Sequence, residues 1–278
     1  MTRTNSHVDV VLYGDCRTRL REIPDGCVQT VVTSPPYWGL RDYNVARQIG
    51  LESTIDEYIK QLVAVFAGVR RTLKNDGTLW LNIGDSYNAY NGNRGASRSL
   101  SRHADIARPR WAKGHGLMCP QFRNKNLIGL PWMLAFALRA DGWVLRDDII
   151  WSKSHYSPER VKDRPTRAHE YIFLLTKKER YFYNMKDVRA LNDGRNDSSV
   201  WTIAPCSYPG AHFATFPPEL AKRCVRAGSQ RGDLVLDPFA GSGTTLMVAR
   251  DLGRHYIGVE LNRQYRSLIS ERLKRVER

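Results

Sequence analysis

The stretch VLDPFAGSGTT, residues 235–245, is an apolar strand that ends in an acid and turns through two glycines toward a helix. Glycines at such a turn let backbone N–H groups approach a ligand closely. No Gly-Lys-Ser/Thr follows, which argues against a phosphate-hydrolysing loop. Leu246 stands where the dinucleotide fingerprint has its third glycine. The stretch therefore predicts an α/β fold with a ligand site of another kind.

Two acids add to this prediction. Asp237 ends the strand and would repel a pyrophosphate, so it suits a ligand with a cationic group. Glu260 ends the next strand, HYIGVE, where a carboxylate accepts hydrogen bonds from both hydroxyls of a ribose. A positively charged nucleoside such as S-adenosylmethionine meets both requirements. The alternative interpretation is an ordinary strand-to-helix turn with a capping aspartate.

Strand and helix patterns alternate outward from this stretch. Strands are predicted over residues 8–15, 28–34, 77–85, 143–153 and 169–184, and helices over residues 54–73, 130–143, 217–228 and the basic C-terminal segment. This alternation predicts a doubly wound, mostly parallel sheet in a single domain over residues 1–278.

Composition narrows the class of protein. The 278 residues contain 43 Lys+Arg against 28 Asp+Glu, a formal net charge of +15, which favours a polyanionic partner. No apolar run reaches membrane-spanning length, and the five cysteines form no CxxC pair. We therefore expect no membrane-spanning segment and no metal site, and we expect the protein to lie in a reducing cytoplasm.

A second stretch, TVVTSPPYWGL, residues 30–40, is a β-branched strand that stops at two prolines. Proline has no backbone N–H, so Pro35 and Pro36 end the strand in a stiff elbow without donors. Together this elbow and the glycine turn resemble the two signatures of the amino-group DNA methyltransferases, which use S-adenosylmethionine. Those signatures are (Asp/Asn/Ser)-Pro-Pro-(Tyr/Phe/Trp) and Asp-Pro-Phe-x-Gly-Ser-Gly-Thr. The elbow precedes the glycine turn, as in the β subgroup.

The resemblance implies a Rossmann-like methyltransferase fold, circularly permuted so that the cofactor strand comes late in the chain. It implies that Asp15 accepts from the adenine amino group and that Phe213, Thr215 and Phe216 wall the methionine end. The full set of predicted cofactor residues is Asp15, Cys16, Phe213, Thr215, Phe216, Asp237, Pro238, Phe239, Gly241, Gly243, Thr244, Glu260 and Asn262.

The resemblance also implies a chemistry for Ser34, Pro35, Pro36 and Tyr37. An exocyclic amino nitrogen is a poor nucleophile, and acceptors aimed at its hydrogens favour the tetrahedral, reactive state. Ser34 Oγ and the Pro35 carbonyl are the predicted acceptors, held rigidly by the prolines. Tyr37 offers a flat face to a base rotated out of the duplex, whereas Trp38 is expected to pack in the core.

Double-stranded DNA is the partner that the resemblance implies. Residues 89–128 are predicted to form an inserted basic loop that contacts DNA, and a solvated loop is the alternative. The predicted DNA-binding residues are Arg94, Arg98, Arg102, Arg108, Arg110, Lys113, Lys162 and Arg164. A homodimer and a cognate restriction endonuclease are candidate partners. The expected location is the cytoplasm, in association with the nucleoid, for a prokaryotic or phage-encoded protein.

Ser34 in the first position of the elbow resembles the cytosine-N4 branch of the family, so we expect methylation of the N4 atom of a flipped cytosine. Adenine-N6 methylation remains an alternative. Two further hypotheses are a non-catalytic nucleic-acid-binding protein on the same fold and an RNA or protein methyltransferase.

Overall fold

A computed structural model describes residues 8–40, 45–88, 119, 121–156, 158–159, 161–206 and 217–274. The strands are β1 (Val10–Tyr13), β2 (Val28–Thr33), β3 (Leu73–Ile83), β4 (Val144–Lys153), β5 (His169–Thr176), β6 (Val200–Ile203), β7 (Leu234–Asp237) and β8 (His255–Glu260). The helices are α1 (Cys16–Arg19), α2 (Ile55–Thr72), α3 (Leu130–Ala140), α4 (Met185–Leu191), α5 (Pro218–Gly228), α6 (Thr244–Asp251) and α7 (Arg266–Lys274).

The eight strands form one sheet in the order β1-β8-β7-β2-β3-β5-β4-β6. Strand β5 runs antiparallel to β3 and β4, and every other neighbouring pair is parallel. The mostly parallel, doubly wound α/β sheet predicted from the sequence is therefore confirmed. The late strands β7 and β8 lie between β1 and β2, which is the arrangement that a circular permutation produces.

Apolar side chains cover both faces of the sheet. On one face α2 buries Tyr58, Leu62 and Phe66 completely. Thr54 begins that helix with a capping box, because its hydroxyl accepts from Glu57 N–H while the Glu57 carboxylate accepts from Thr54 N–H. On the other face α5 and α6 pack against β2, β7 and their neighbours. Apolar layers on both faces of the sheet therefore fix the position of the sheet edge at which the site lies.

Three short elements carry no signal in the sequence that predicts them. Helix α1 has four residues and α4 has seven, which is too short for an apolar period to stand out. Strand β6 has four residues at the edge of the sheet, where its side chains alternate between exposed and buried. Within the described residues, no helix has the length and hydropathy to cross a membrane.

The carboxyl ends of the parallel strands meet at one edge of the sheet, where α/β folds place their ligands. Strand β5 is antiparallel, so its first residues reach this same edge, and Trp151 of β4 is paired with Glu170 there. Ser34, Glu260 and Glu170 therefore come together although they are far apart in sequence.

Asn88 marks the start of the predicted basic loop, most of which lies outside the described residues. The fully buried Asn88 amide donates to the carbonyls of Cys119 and Phe122 at 3.1 and 2.7 Å and accepts from Cys119 N–H at 2.7 Å. Tyr87 and Leu127 form an antiparallel bridge beside it. The two ends of segment 89–128 are thus tied together at the surface of the domain.

Candidate active site

A cavity of about 310 Å³ opens at the carboxyl edge of the sheet. One end, called here the cofactor end, is lined by residues of the glycine turn and of β8, including Phe239, Gly241 and Glu260. The other, the base end, is lined by Ser34 to Tyr37 of the elbow. Both predicted motifs therefore face one cavity.

The glycine turn has the backbone that its sequence predicts. Gly241 and Gly243 have φ angles of 52° and 81°, a region that favours glycine. Gly243 is the N-cap residue of α6 and does not line the cavity. Instead it packs against α7, because a Cβ atom at this position would lie 3.3 Å from Ile269. Thr244 does line the cavity, and its buried hydroxyl has no hydrogen-bond partner among the described residues. An orphaned hydroxyl in a cavity fits a polar ligand such as the methionine part of S-adenosylmethionine.

Glu260 is 8% exposed and lines the cofactor end. Its two carboxylate oxygens accept from the backbone N–H groups of Gly241 at 2.8 Å and Asn262 at 2.7 Å. Burial raises the pKa of Glu260 to about 7. Since a carboxylate has about four acceptor positions, two remain for ribose hydroxyls. Asn262 also lines the cavity and caps the following turn by accepting from Gln264 N–H.

Asp237 lies beneath the turn rather than on the cavity wall. It is 1% exposed and accepts from the Thr33 hydroxyl at 2.6 Å and from Phe239 N–H at 3.0 Å. Burial raises its pKa to about 6, although the hydroxyls of Thr33 and Thr245 oppose that shift. Asp237 thus joins the strand before the elbow to the strand before the glycine turn.

Asp15 and Cys16 both line the cavity where β1 ends. Arg17 holds both oxygens of the Asp15 carboxylate, with its Nη2 atom 2.6 Å from Oδ2 and its Nε atom 2.9 Å from Oδ1. Arg17 also donates to the Gln61 side chain and to the Arg47 carbonyl. Burial raises the pKa of Asp15, but the hydrogen bonds from Arg17 outweigh it and hold that pKa below its ordinary value.

The elbow is fixed from behind. Tyr58 of α2, itself fully buried, donates to the Pro36 carbonyl at 2.8 Å. Trp38 is 6% exposed and donates to the Glu52 carbonyl at 3.0 Å, so it packs in the core as expected. Among the described residues, no donor reaches the Pro35 carbonyl, which stays available to a ligand.

Sequence reasoning misses a polar cluster at the base end. Glu170 accepts from the Tyr37 hydroxyl at 2.7 Å, from the Lys153 ammonium at 2.5 Å and from the Asn82 amide at 3.2 Å. All four side chains line the cavity. An acid at the start of an apolar strand is a weak signal in sequence. Only the antiparallel pairing of β4 and β5 shows that Lys153 and Glu170 meet.

Several predicted residues lie outside this cavity or outside the described residues. The latter are Phe213, Thr215, Phe216, Arg94, Arg98, Arg102, Arg108, Arg110 and Lys113. Lys162 is exposed, and Arg164 lies 3.7 Å over the Tyr87 ring while it pairs with Glu159 at 2.5 Å. The segment with Lys162 and Arg164 thus packs beside the ends of the basic loop. Within the described part of the chain, no cluster of three or more His, Cys, Asp or Glu residues is arranged to hold a metal ion.

Comparison with known sequences decides the family. Residues 28–271 match the model of the DNA methylase family N6_N4_Mtase. This chain belongs to that family. Among its relatives, the type II methyltransferase M.XycI of Xanthomonas campestris pv. cyanopsidis is 50% identical over 94% of this chain and 86% of that protein. The type II methyltransferase M.SmaI of Serratia marcescens is 49% identical over 95% of this chain and 90% of that protein.

Two solved structures share the fold. TTHA0409 of Thermus thermophilus, in complex with S-adenosylmethionine, is 30% identical over 95% of this chain and 93% of that chain, with a TM-score of 0.64. The PvuII DNA methyltransferase, 21% identical, covers 94% of this chain and 85% of its own, with a TM-score of 0.70. The protein is therefore an S-adenosylmethionine-dependent type II DNA methyltransferase of the N4/N6 amino-group family rather than a non-catalytic nucleic-acid-binding protein.

Proposed function

We propose that this methyltransferase moves the methyl group of S-adenosylmethionine to the exocyclic N4 atom of a flipped cytosine in double-stranded DNA. The observation that carries the proposal is the serine in the elbow Ser34-Pro35-Pro36-Tyr37, which faces the same cavity as the glycine turn. A serine at this position resembles the cytosine-N4 branch of the family.

The cofactor end suits the bound cofactor. Glu260 presents acceptors to the ribose, and the Thr244 hydroxyl offers a partner to the methionine part. Asp15, Cys16, Pro238, Phe239, Gly241 and Asn262 complete the proposed wall, and the further candidates Phe213, Thr215 and Phe216 lie outside the described residues. Asp237 and Gly243 act from behind the wall by shaping the turn. When bound, the cofactor supplies an activated methyl group on its sulfonium, so orientation provides much of the catalysis.

The base end supplies acceptors for the amino group. Ser34 Oγ and the Pro35 carbonyl receive the two amino hydrogens and favour the tetrahedral nitrogen that attacks the methyl group. Pro36 is held by Tyr58 and fixes the angle of the elbow. Tyr37 lines the cavity, and a base stacked on its aromatic face would gain roughly 1–3 kcal/mol.

Nucleotide-resolution mapping of modified bases tests this function directly. DNA from cells that express the protein is expected to carry N4-methylcytosine at one short sequence, absent from cells with the Ser34→Ala variant. N6-methyladenine at that sequence would replace the proposal by the adenine alternative. Modification of RNA or protein without any DNA modification would contradict both.

Binding to duplex DNA is proposed to use segment 89–128, with Arg94, Arg98, Arg102, Arg108, Arg110 and Lys113, together with Lys162 and Arg164. If this segment makes about six phosphate contacts, log K against log salt is expected to slope by roughly −5. Alanine at Arg102, Arg108, Arg110 and Lys113 should flatten the slope. An unchanged slope would place the DNA elsewhere on the enzyme.

A homodimer, a cognate restriction endonuclease and a nucleoid-associated cytoplasmic location complete the proposal. Sedimentation of the purified enzyme tests the dimer. A nuclease that is blocked by the mapped modification tests the endonuclease partner.

A further inference from the structure

Lys153 lines the base end and brings more hydrogen-bond donors than its neighbours use. An ammonium group has three N–H donors and no acceptor. Within the described residues, Lys153 Nζ donates one hydrogen bond, to Glu170 Oε1 at 2.5 Å. The same atom lies 4.9 Å from the centroid of the Trp151 ring, and Trp151 also lines the cavity. Two N–H groups of a positioned ammonium therefore remain for a ligand.

The other donors of this cluster are already used inside the protein. The Tyr37 hydroxyl donates to Glu170 Oε2 at 2.7 Å. The Asn82 amide nitrogen donates to the same carboxylate oxygen and to the Tyr171 carbonyl, both at 3.2 Å. Lys153 is therefore the member of the cluster that has donors to offer to a base.

The sheet places Lys153 across the base end from the elbow. Ser34 follows β2, and β2 is separated from β4 by β3 and β5. Glu170 of β5 is paired with Trp151 of β4, and Lys153 lies two residues further on the same face of β4. With neighbouring strands about 4.8 Å apart, the backbones of β2 and β4 are roughly 14 Å apart. The acceptors of the elbow and the remaining donors of Lys153 therefore meet the cavity from opposite sides.

A cytosine that is held by its amino group presents a matching acceptor to Lys153. On the pyrimidine ring the amino group and the O2 carbonyl are meta substituents, so they point in different directions. Adenine has a C–H group at the corresponding position, and this group accepts no hydrogen bond. A donor across the cavity from the elbow therefore distinguishes the two bases, whereas the elbow alone meets an amino group in both.

We propose that Lys153 is a specificity-determining residue whose ammonium donates to the O2 carbonyl of the flipped cytosine while the elbow receives the amino group. Glu170 and Trp151 hold the ammonium in place before DNA binds, which reduces the entropy lost on contact. Adenine in the same position leaves that ammonium covered by a base but without a partner, which is costly. The inference rests on the proposed function and deepens it by naming the group that selects the base.

A cycle that changes both the enzyme and the base tests this contact. Lys153→Met removes the donors and keeps most of the length of the side chain. In the duplex, a 2-aminopyridine C-nucleoside replaces the target cytosine. This analogue keeps the amino group and the ring nitrogen but has C–H in place of the O2 carbonyl.

The measured quantity is the second-order rate constant of single-turnover methylation. We expect the analogue to lower it by roughly 10- to 100-fold more for the wild type than for Lys153→Met, the range expected for a hydrogen bond to a charged group. A change in the intrinsic reactivity of the amino group is the same for both enzymes and cancels in the cycle. Equal losses in the two enzymes would show that Lys153 does not meet O2 and would overturn the inference.

Lys74→Met is the matched control for the loss of an ion pair. Lys74 pairs with Asp233 at 2.9 Å, and neither residue lines the cavity. This variant should therefore lose as much rate on the analogue as the wild type does. Cofactor affinity in calorimetric titration should stay at the wild-type level in both lysine variants, because Lys153 lies at the base end of the cavity.

A second variant covers the case in which Lys153→Met does not fold because Glu170 is left without its cation. Combining Lys153→Met with Glu170→Gln removes both partners of the ion pair, and the glutamine oxygen still accepts from the Tyr37 hydroxyl. The analogue should again cost this enzyme roughly 10- to 100-fold less than it costs the wild type. The full wild-type loss in this enzyme would overturn the inference.

The methylated base distinguishes failure of this inference from failure of the proposed function. N4-methylcytosine at the mapped sequence, together with equal losses in the cycle, would overturn the role of Lys153 and leave the function in place. N6-methyladenine as the wild-type product would overturn the proposed function and, with it, the contact to O2. A duplex with adenine in place of the mapped cytosine adds a readout, since the preference for cytosine should narrow by about tenfold or more in Lys153→Met. An unchanged preference would contradict the inference.

Discussion

The two ends of the cavity hold their acids in opposite ways. At the cofactor end Glu260 and Asp237 accept from backbone N–H groups and hydroxyls, and neither carboxylate pairs with a cation among the described residues. Burial raises the pKa values of these two acids to about 7 and about 6. At the base end Glu170 is paired with the Lys153 ammonium. The acids of the cofactor end can therefore change protonation near neutral pH, whereas the acid of the base end lies in an ion pair.

Ser34→Ala should produce the largest effect and should be confined to the base end. Removing one preorganised partner of a developing charge costs on the order of 10²–10³ in rate. Binding should be almost unchanged, because the hydroxyl acts mainly in the transition state. Single-turnover methylation of a duplex with the mapped site measures this.

Tyr37→Ala provides the contrast to Ser34→Ala. It removes the stacking face, so 2-aminopurine fluorescence should report fewer flipped bases. A near-normal single-turnover rate for Ser34→Ala would show that the Pro35 carbonyl or another group carries the chemistry.

Asp237→Ala should affect the cofactor end strongly, by an indirect route. The change leaves the buried Thr33 hydroxyl and Phe239 N–H without their acceptor, which costs roughly 1–3 kcal/mol of folding free energy. We expect a lower urea midpoint together with about a tenfold or greater loss of cofactor affinity in calorimetric titration.

Asp237→Asn separates a structural role of Asp237 from an electrostatic one. The asparagine side chain has no charge, but its amide oxygen can still accept from the Thr33 hydroxyl and from Phe239 N–H. Retained affinity would mean that Asp237 holds the turn in place. Affinity as poor as that of Asp237→Ala would mean that the negative charge itself attracts the cationic cofactor, as the sequence alone predicts.

The smallest effect concerns Glu260 and pH. In the proposed function, ribose hydroxyls donate to the ionised carboxylate of Glu260, whereas the free enzyme begins to protonate Glu260 below its pKa of about 7. Cofactor binding must then release a proton, so affinity should fall by up to about tenfold per pH unit below that pKa. The ratio of wild-type to Glu260→Gln affinity should shrink as pH drops. A ratio that stays constant as the pH is lowered through the pKa would show that Glu260 does not meet the ribose.

The same contrast explains how much the sequence could predict. The glycine turn and the elbow are contiguous, and each has a local reason for its shape: glycines with positive φ in one, prolines without donors in the other. The α2 helix is predicted because its apolar period and its cap, Thr54 or Ser53, are both local signals, and the structure shows Thr54 as the cap. From these pieces the sheet, the cofactor cavity and the elbow follow.

The parts that the sequence does not predict depend on distant residues. Tyr37, Asn82, Lys153 and Glu170 come from four segments, and the reversed direction of β5 is needed to bring Glu170 to the site. The pairing of Asp15 with Arg17 depends on the short helix α1, which has no period to detect. The sequence predicts that Asp237 contacts the cofactor, because Asp237 ends the strand just before the glycine turn. Its burial beneath that turn depends on packing, which the sequence does not show.

The order of strands also has a consequence for synthesis. Val10 of β1 pairs with Ile257 of β8, nearly the whole described chain away, and β7 lies between β8 and β2. During translation β1 therefore cannot pair with β8 until β8 has left the ribosome. A nascent chain that stops before residue 234 contains the elbow but has no glycine turn, so the ability to modify DNA arrives only when synthesis is almost finished.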